Sequence, residues 1–255
     1  MHAMISKHLL STKVVRQHIV FFTGAGVSAE SGIPTFRDAG GLWRDFDPYT
    51  YCSASGLREK PKEVLDFYNW RRRNLFKAKP NPAHLAIARL ERWHDVTVLT
   101  QNVDDLHEKA GSSKVIHLHG ELTKVTSSRN RLDPACVQSY PLDKPINVGD
   151  MAVDGSQLRP FVVLFDEYVQ WEEAERIARD ADVFVIIGTS LSVSTSMSFP
   201  SFPRRDVPRY IIDPVDYRDK LPWGYIWINA KASEGMEILT DEVTNGFKMY
   251  ERLWG

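Results

Sequence analysis

Short apolar runs rich in β-branched residues alternate along the chain with longer segments that have a polar face, and this alternation constrains the fold most. Several runs are apolar at consecutive positions, as expected of strands covered on both faces. The candidate strands are Ile19–Phe22, Val96–Thr100, Val115–Leu118, Val162–Phe165, Val183–Ile187, Tyr210–Ile212 and Tyr225–Ile228. Helices are predicted over about 5–15, 62–77, 82–92, 103–110, 171–180 and 235–252. The repeated order of strand and helix predicts an α/β fold, a parallel sheet with helices on both faces.

Two stretches, 37–81 and 121–159, break this rhythm and are rich in turn residues. We expect them to form a second, smaller domain built from two insertions, while 1–36, 82–120 and 160–255 form the sheet domain. Open α/β sheets bind ligands at the carboxyl ends of their strands, so a ligand is expected beside these insertions.

Composition excludes several classes of protein. The chain has 255 residues with 32 Lys and Arg against 33 Asp and Glu, a net charge of −1, so no nucleic-acid partner is expected. Its two cysteines exclude a disulfide framework. The longest apolar run, Val183–Ile187, is far too short to span a membrane, and no signal peptide is evident. These features predict a soluble cytoplasmic protein without a membrane partner.

A glycine-rich turn, Thr23-Gly24-Ala25-Gly26-Val27-Ser28, follows the first candidate strand directly. Such a turn lets backbone N–H groups approach a pyrophosphate at the start of a helix. The alternative is a tight turn without a ligand, and the spacing is not that of G-x-G-x-x-G, because Ala29 stands at the third glycine position.

Further motifs follow this turn in order along the chain. They are Ala29–Asp38 with Gly41-Leu42-Trp43, Thr100–Leu106 with His107-Glu108 and Ala110-Gly111, His117–Glu121, Arg159–Phe165 and Gly188–Val193. In this order they resemble the sirtuins, the NAD-dependent protein-lysine deacylases, and the resemblance runs from about Ile19 to Ala232. The resemblance implies a Rossmann-like domain that binds NAD against a smaller domain.

The resemblance also implies which residues contact NAD. The Gly24–Gly26 turn would hold the pyrophosphate, Phe36 would shield the reacting carbon from water, and Arg37 would help to hold the phosphates. The full set of expected cofactor contacts is Gly24, Ala25, Gly26, Ser28, Phe36, Arg37, Trp43, Gln101, Asn102, Val103, Asp104, Gly188, Thr189, Ser190, Asp213 and Ala232.

Three residues are expected to be catalytic: His119, Asn102 and Asp104. His119 matches the family's base, which removes a proton from a ribose hydroxyl, a task suited to an imidazole with an ordinary pKa near ~6.5. The alternative for a histidine at a strand end is a structural role, which we assign to His107 and His117. Asn102 and Asp104 could instead cap the helix predicted over 103–110, and the two roles can coexist.

Substrate contacts are expected from Tyr68, Arg71, Val163, Phe165 and Val193. Tyr68 and Arg71 are three residues apart on a predicted helix and share a face. This Tyr-x-x-Arg pair resembles that of sirtuins that remove succinyl and malonyl groups, whose acyl carboxylate an arginine can bind. The alternative is a solvated basic face, which is the expectation for Arg72 and Arg73.

The sequence departs from the family in four places. Many sirtuins bind zinc through two Cys-x-x-Cys pairs in the second insertion, but 121–159 holds only Cys136, with Ser127 at the first ligand position, so no metal is expected. Packing must hold this insertion, through residues such as Leu122, Val125, Leu132, Val137, Tyr140 and Ile146. Asp166 stands where glycine is usual, the usual proline near Thr195 is missing, and Asp213 stands where asparagine is common.

These observations favour an NAD-dependent protein-lysine deacylase acting on acyl-lysine proteins or peptides, a deacetylase with possible desuccinylase or demalonylase activity. Two alternatives stay open. One is an ADP-ribosyltransferase or NAD glycohydrolase on the same fold, and the other is a non-enzymatic sensor of NAD or ADP-ribose.

Overall fold

A computed structural model describes residues 16–36, 41–192 and 197–244. Its strands are β1 (His18–Thr23), β2 (Asp95–Thr100), β3 (Val115–His117), β4 (Gly120–Ser127), β5 (Gln138–Ser139), β6 (Leu158–Val162), β7 (Val183–Ile187), β8 (Arg209–Ile212) and β9 (Tyr225–Ile228). Its α-helices are α1 (Gly26–Ala29), α2 (Pro48–Tyr51), α3 (Ala54–Glu59), α4 (Pro61–Lys77), α5 (Pro82–Leu90), α6 (Leu106–Ala110), α7 (Glu172–Arg179) and α8 (Ala232–Thr244).

Six strands form one parallel sheet in the order β3-β2-β1-β7-β8-β9. This is the order of the Rossmann fold, and the direction of strand addition reverses between β1 and β7. The central strands are almost completely buried because α5 and α8 cover one face and α7 covers the other. The predicted parallel sheet with helices on both faces is therefore confirmed.

One predicted strand is wrong. Val162–Phe165 is not a strand of the parallel sheet, because the strand here is β6, which pairs antiparallel with β4 in a separate three-stranded sheet. After Val162 the chain leaves that sheet: the Val163 amide donates to the His119 carbonyl and the Phe165 amide to the Cys52 carbonyl. Val162 and Leu164 are buried, whereas Val163 is half-buried and Phe165 is exposed, so the run is not covered on both faces. The predicted boundary at residue 160 falls inside β6.

The two insertions share one core. Helices α3 and α4 pack against the small sheet through apolar residues from both insertions, among them Leu57, Leu65 and Leu75 from the first and Leu122 and Val125 from the second. Of the residues expected to hold the second insertion, Leu122, Val125 and Ile146 are buried, whereas Leu132 is exposed.

Most predicted helices are observed within a few residues of their bounds. The helix predicted over 103–110 begins only at Leu106, because Asp104 accepts the Leu106 amide through its side chain and the Val103 carbonyl accepts from Leu122. The helix predicted over 5–15 lies outside the described residues, as does the part of the helix predicted over 235–252 that follows Thr244. No helix within the described ranges has the length and apolar character needed to cross a membrane.

Candidate active site

A cleft of about 660 Å³ opens where the strand order reverses, at the carboxyl ends of β1, β2, β7 and β8. A crevice at this position is where open α/β sheets bind nucleotides. Its lining residues are Gly24, Ala25, Gly26, Ala29, Glu30, Thr35, Phe36, Gln101, Asn102, His119, Gly188, Thr189, Ser190, Ile212, Asp213, Pro214, Val215, Tyr217, Lys231 and Ala232.

The glycine turn after β1 packs directly on the loop after β7. The Gly24 amide donates to the Ile187 carbonyl at 2.9 Å and the Gly26 amide to the Gly188 carbonyl at 2.8 Å. Gly188 has φ +61°, and a Cβ there would lie 2.4 Å from the Val27 nitrogen, so this contact requires glycine. Because α1 is only four residues long, its dipole contributes less to anion binding than the sequence suggested.

Asn102 and Asp104 belong to one buried hydrogen-bond network below the cleft. The Asn102 side-chain amide donates to the Gly24 carbonyl and to the Ser28 hydroxyl, both at 3.1 Å. Ser28 in turn donates to Asp104 at 3.0 Å, and Asp104 also accepts the Leu106 amide. Burial raises the pKa of Asp104, and the hydrogen bonds from Leu106 and Ser28 oppose that rise. Asp104 therefore forms an Asx turn to Leu106 just before α6 and also fixes the network. The N-cap residue of α6 is Asp105, whose side chain makes no capping bond, and Asn102 does not cap either.

His119 lies at the floor of the cleft in a defined orientation. Its Nδ1 is 2.9 Å from the Gln101 carbonyl oxygen, which can only accept, so Nδ1 carries the proton and Nε2 has the free lone pair. Burial lowers the pKa of His119, the bond to Gln101 opposes this, and the positive charge of Arg131 lowers the pKa further. The imidazole is therefore neutral at neutral pH, as a general base must be.

His117 has a different environment, although it is only two residues away. Its Nδ1 is 3.1 Å from the Asn102 carbonyl and its Nε2 is 2.7 Å from the Glu108 carboxylate. Burial alone would lower the pKa of His117, but the hydrogen bond and charge of Glu108 outweigh it and raise the pKa. Both ring nitrogens are thus engaged, which fits the structural role expected for His117.

Two buried histidines, His84 and His107, lie next to the hydrogen-bond network of Ser28, Asn102 and Asp104. Their ring centroids are 4.8 Å apart. His84 is 3.0 Å from the Asn81 side-chain oxygen, and His107 is 3.2 Å from the Thr23 hydroxyl. Burial lowers the pKa of His84 to about 4 and brings the pKa of His107 well below its ordinary value. His84 was not singled out from the sequence, which offered only its place three residues after Asn81.

Helix α4 brings the guanidinium of Arg71 close to the rings of Phe36 and Tyr68. The Arg71 guanidinium lies 5.1 Å from the centroid of the Phe36 ring and 5.9 Å from that of Tyr68. Tyr68 is buried beside the Cys52 thiol, and burial raises the pKa of its phenol well above the ordinary value. Arg71 also lines a small cavity together with Val103 and Asp104, at the side of the network facing the smaller domain.

The expectation that Arg72 lies on a solvated face is wrong. Arg72 is completely buried; its guanidinium donates to the carbonyls of Tyr140 and Pro141 and stacks 5.0 Å from the Tyr140 ring. The side chain reaches across to the second insertion, a contact that no local pattern encodes. Arg73 is exposed as expected.

The structure brings most, but not all, of the expected cofactor contacts to the cleft. Ser28 lies beneath it and Val103 at the small cavity. Trp43 packs on Phe36 at 5.0 Å and on Phe165 at 6.3 Å outside the cleft lining. Arg37 and Val193 lie outside the described residues.

The sequence reasoning also missed some lining residues. Thr35 precedes Phe36, Tyr217 follows the end of β8, and Lys231 follows the end of β9. The rule that ligands lie at strand carboxyl ends could have found the last two.

Comparison with known proteins agrees with this geometry. The Sir2 family pattern matches residues 24–195. An NAD-dependent protein deacylase of Helicobacter pylori strain J99 is 46% identical over 224 residues, covering 88% of this chain and 94% of that protein. One of Bacteroides thetaiotaomicron is 46% identical over 225 residues, covering 88% and 96%. The crystal structure of a Sir2 homolog–NAD complex superposes with a TM-score of 0.77 at 36% identity, covering 96% of each chain.

The fold and the cleft define an α/β protein of the Rossmann type with a nucleotide site at its switch point. Within that class, the chain belongs to the Sir2 family, the sirtuins.

Proposed function

We propose that this protein is an NAD-dependent protein-lysine deacylase that releases nicotinamide and O-acyl-ADP-ribose. The observation that carries the proposal is His119: a neutral imidazole, oriented by the Gln101 carbonyl, on the floor of a nucleotide-sized cleft. The deacylase names of its relatives support the same activity.

The residues present fit NAD. The cleft lies at the switch point, and within the described chain the Gly24, Gly26, Val27 and Ser28 amides all donate to backbone carbonyls, which leaves the Ala25 amide for a phosphate. When bound, NAD supplies the glycosidic bond to nicotinamide that the acyl-lysine oxygen replaces. His119 then removes a proton from a ribose hydroxyl through Nε2, and Phe36 excludes water from the reacting carbon.

Asn102 has both amide protons engaged below the cleft, which fixes its side-chain oxygen. That oxygen can accept from the carboxamide of nicotinamide or from a ribose hydroxyl. Asp104 holds Ser28 and so keeps Asn102 in place. We therefore assign Asn102 to cofactor contact and Asp104 to the support of that contact.

The acyl-lysine is proposed to enter between α4 and the segment after β6. The Val163 amide donates a hydrogen bond to the His119 carbonyl, and Phe165 lies near Trp43 and Tyr49 at the surface. Arg71 and Tyr68 would receive an acidic acyl terminus, so succinyl- and malonyl-lysine are the proposed preferred substrates.

The second insertion is proposed to need no zinc. Ser127 donates to Asp154 at 2.6 Å, and its oxygen accepts the amides of Arg129 and Asn130. The hydrogen bond from Ser127, with further ones from Ser156, lowers the pKa of Asp154 to about 2. Elemental analysis of untagged protein should find no stoichiometric zinc, and one zinc per chain would contradict this.

The same proposal covers domain division and location. The shared apolar core of 37–81 and 121–159 supports a smaller domain built from the two insertions, set against an NAD-binding domain formed by 1–36, 82–120 and 160–255. Both cysteines, Cys52 and Cys136, are free, which suits the reducing cytoplasm proposed as its location.

The deciding experiment is mass spectrometry of the products formed from acetyl-, succinyl- and malonyl-lysine versions of one peptide with NAD. We expect deacylated peptide and O-acyl-ADP-ribose in equal amounts, and a loss of about 10²–10⁴-fold in His119→Ala with NAD-dependent thermal protection retained. Nicotinamide release without peptide would instead identify a glycohydrolase, and ADP-ribose attached to protein would identify a transferase. Unchanged turnover in His119→Ala would reject the assignment of the base.

A further inference from the structure

Trp171 contacts the imidazole of His119 from outside the cofactor cleft. The two ring centroids are 6.3 Å apart and the planes are nearly perpendicular, at 75°. Trp171 is half-buried at the residue that precedes α7, and the Glu175 amide of α7 donates to its carbonyl. It is not among the residues lining the cleft, and it packs with the apolar cluster between α7 and the sheet, so it contacts His119 from the α7 side.

An array of aromatic rings fixes the position of this indole. Trp171 packs on Phe199 at 5.1 Å, and Phe199 stacks almost parallel on Phe22 at 4.7 Å. Phe22 belongs to the central strand β1, and Phe22 and Phe199 are completely buried. Trp171 therefore packs, through Phe199, against the buried core of the sheet.

We propose that Trp171 is a positioning residue for the general base, which holds the His119 ring in the orientation that directs Nε2 to the cleft and keeps water from its outer side. The bond from Nδ1 to Gln101 fixes one nitrogen but leaves the ring free to tilt about that bond. A perpendicular aromatic contact restricts this tilt, because aromatic pairs prefer the edge-to-face arrangement. The proposal rests on the proposed function, because it concerns the base of that reaction.

The charged groups around His119 are paired with other residues, so the indole is the group that restricts the orientation of the ring. Arg131 approaches from the segment after β4 and lowers the pKa of His119, while its own charge faces Glu167 at 3.5 Å. On α7, Glu172 accepts from the Tyr168 hydroxyl and from the Trp171 amide. Burial is the largest cause of the lowered pKa of His119, and removal of the indole would admit water on that side.

The test compares Trp171→Ala and Trp171→Phe with the matched control Phe202→Ala. Phe202 is half-buried, belongs to the same aromatic cluster and packs edge-to-face on Phe199 at 5.1 Å, but its ring does not contact His119. The measurements are the pH profile of kcat/KM on one acyl-peptide, NAD-dependent thermal protection, and the NMR titration of the His119 imidazole, assigned with His119→Asn.

In Trp171→Ala we expect kcat/KM to fall about 10- to 100-fold, since a misplaced catalytic group costs up to ~100-fold. The His119 titration and the acid limb of the kcat/KM profile should move to higher pH, and thermal protection by NAD should be retained. Trp171→Phe should largely restore the wild-type activity and titration. A His119 titration equal to the wild type, or a loss no greater than in Phe202→Ala, would overturn the proposal. The NMR titration needs no turnover, so it also decides the question if the wild type proves to have no deacylase activity.

Discussion

Arg71 provides the sharpest test of acyl-group choice. Its guanidinium is surrounded by the rings of Phe36, Tyr68 and Phe67 at 5.1 to 5.9 Å, and it has no ion-pair partner among the residues that the structure describes. An arginine beside aromatic rings and without a carboxylate has its charge available to a ligand. The perturbation is Arg71→Met, which keeps much of the side-chain volume and removes the charge.

The expected magnitude follows from the interaction removed. A hydrogen bond to a charged group contributes roughly 1.5–3 kcal/mol, and each 1.4 kcal/mol is about tenfold. Arg71→Met should therefore lower kcat/KM for succinyl-lysine about 10- to 100-fold and leave acetyl-lysine nearly unchanged. The apolar surroundings favour the upper part of this range, because a carboxylate without a partner there is costly.

The assay measures kcat/KM for succinyl- and acetyl-lysine on one peptide, in the wild type, Arg71→Met and Arg73→Met. Arg73 is a suitable control because it lies on the same helix, carries the same charge and is exposed. A parallel fall of both activities would show that Arg71 acts by holding Phe36, and no fall in either would show that it does not meet the acyl group.

Three further predictions follow from the site. Gly188→Ala should abolish NAD-dependent thermal protection, because its Cβ would lie 2.4 Å from the Val27 nitrogen. Gly155→Ala, also at positive φ but with open space around it, should cost only about 1 kcal/mol of stability. Equal effects of the two substitutions in thermal denaturation would refute this. The pKa of His84 is about 4 in the folded protein and ~6.5 in the unfolded chain, so the unfolded chain binds more protons between these pH values. The free energy of unfolding should therefore decrease by roughly 3 kcal/mol as pH falls from 6.5 to 4. Urea denaturation of His84→Gln should show a weaker pH dependence than the wild type, and an unchanged pH dependence would count against this role of His84. NAD should bind more tightly than NADP in calorimetry, because Asp213 lines the cleft and its charge would repel a 2′-phosphate; equal affinities would argue against this role.

The sequence by itself determined the sheet and the residues at its carboxyl edge. Strands such as Val183–Ile187 are apolar at every position because both faces are buried, and the helices between them require parallel pairing. Since every parallel strand ends at the same edge, Gly24, Gln101, Gly188 and Asp213 had to come together there. The local signal was sufficient because the spacing of apolar residues and the positions of turn residues are properties of short stretches of sequence.

Only the tertiary structure decided which side chains share an environment. His117 and His119 are two residues apart, yet only His117 meets a carboxylate. Burial lowers the pKa of His119, whereas the hydrogen bond and charge of Glu108 outweigh burial and raise the pKa of His117. Arg72 looked solvated because its partners lie 68 and 69 residues away. The contact of Trp171 with His119 likewise joins distant segments. Burial and charge pairing arise from such long-range packing, which no short stretch of sequence specifies.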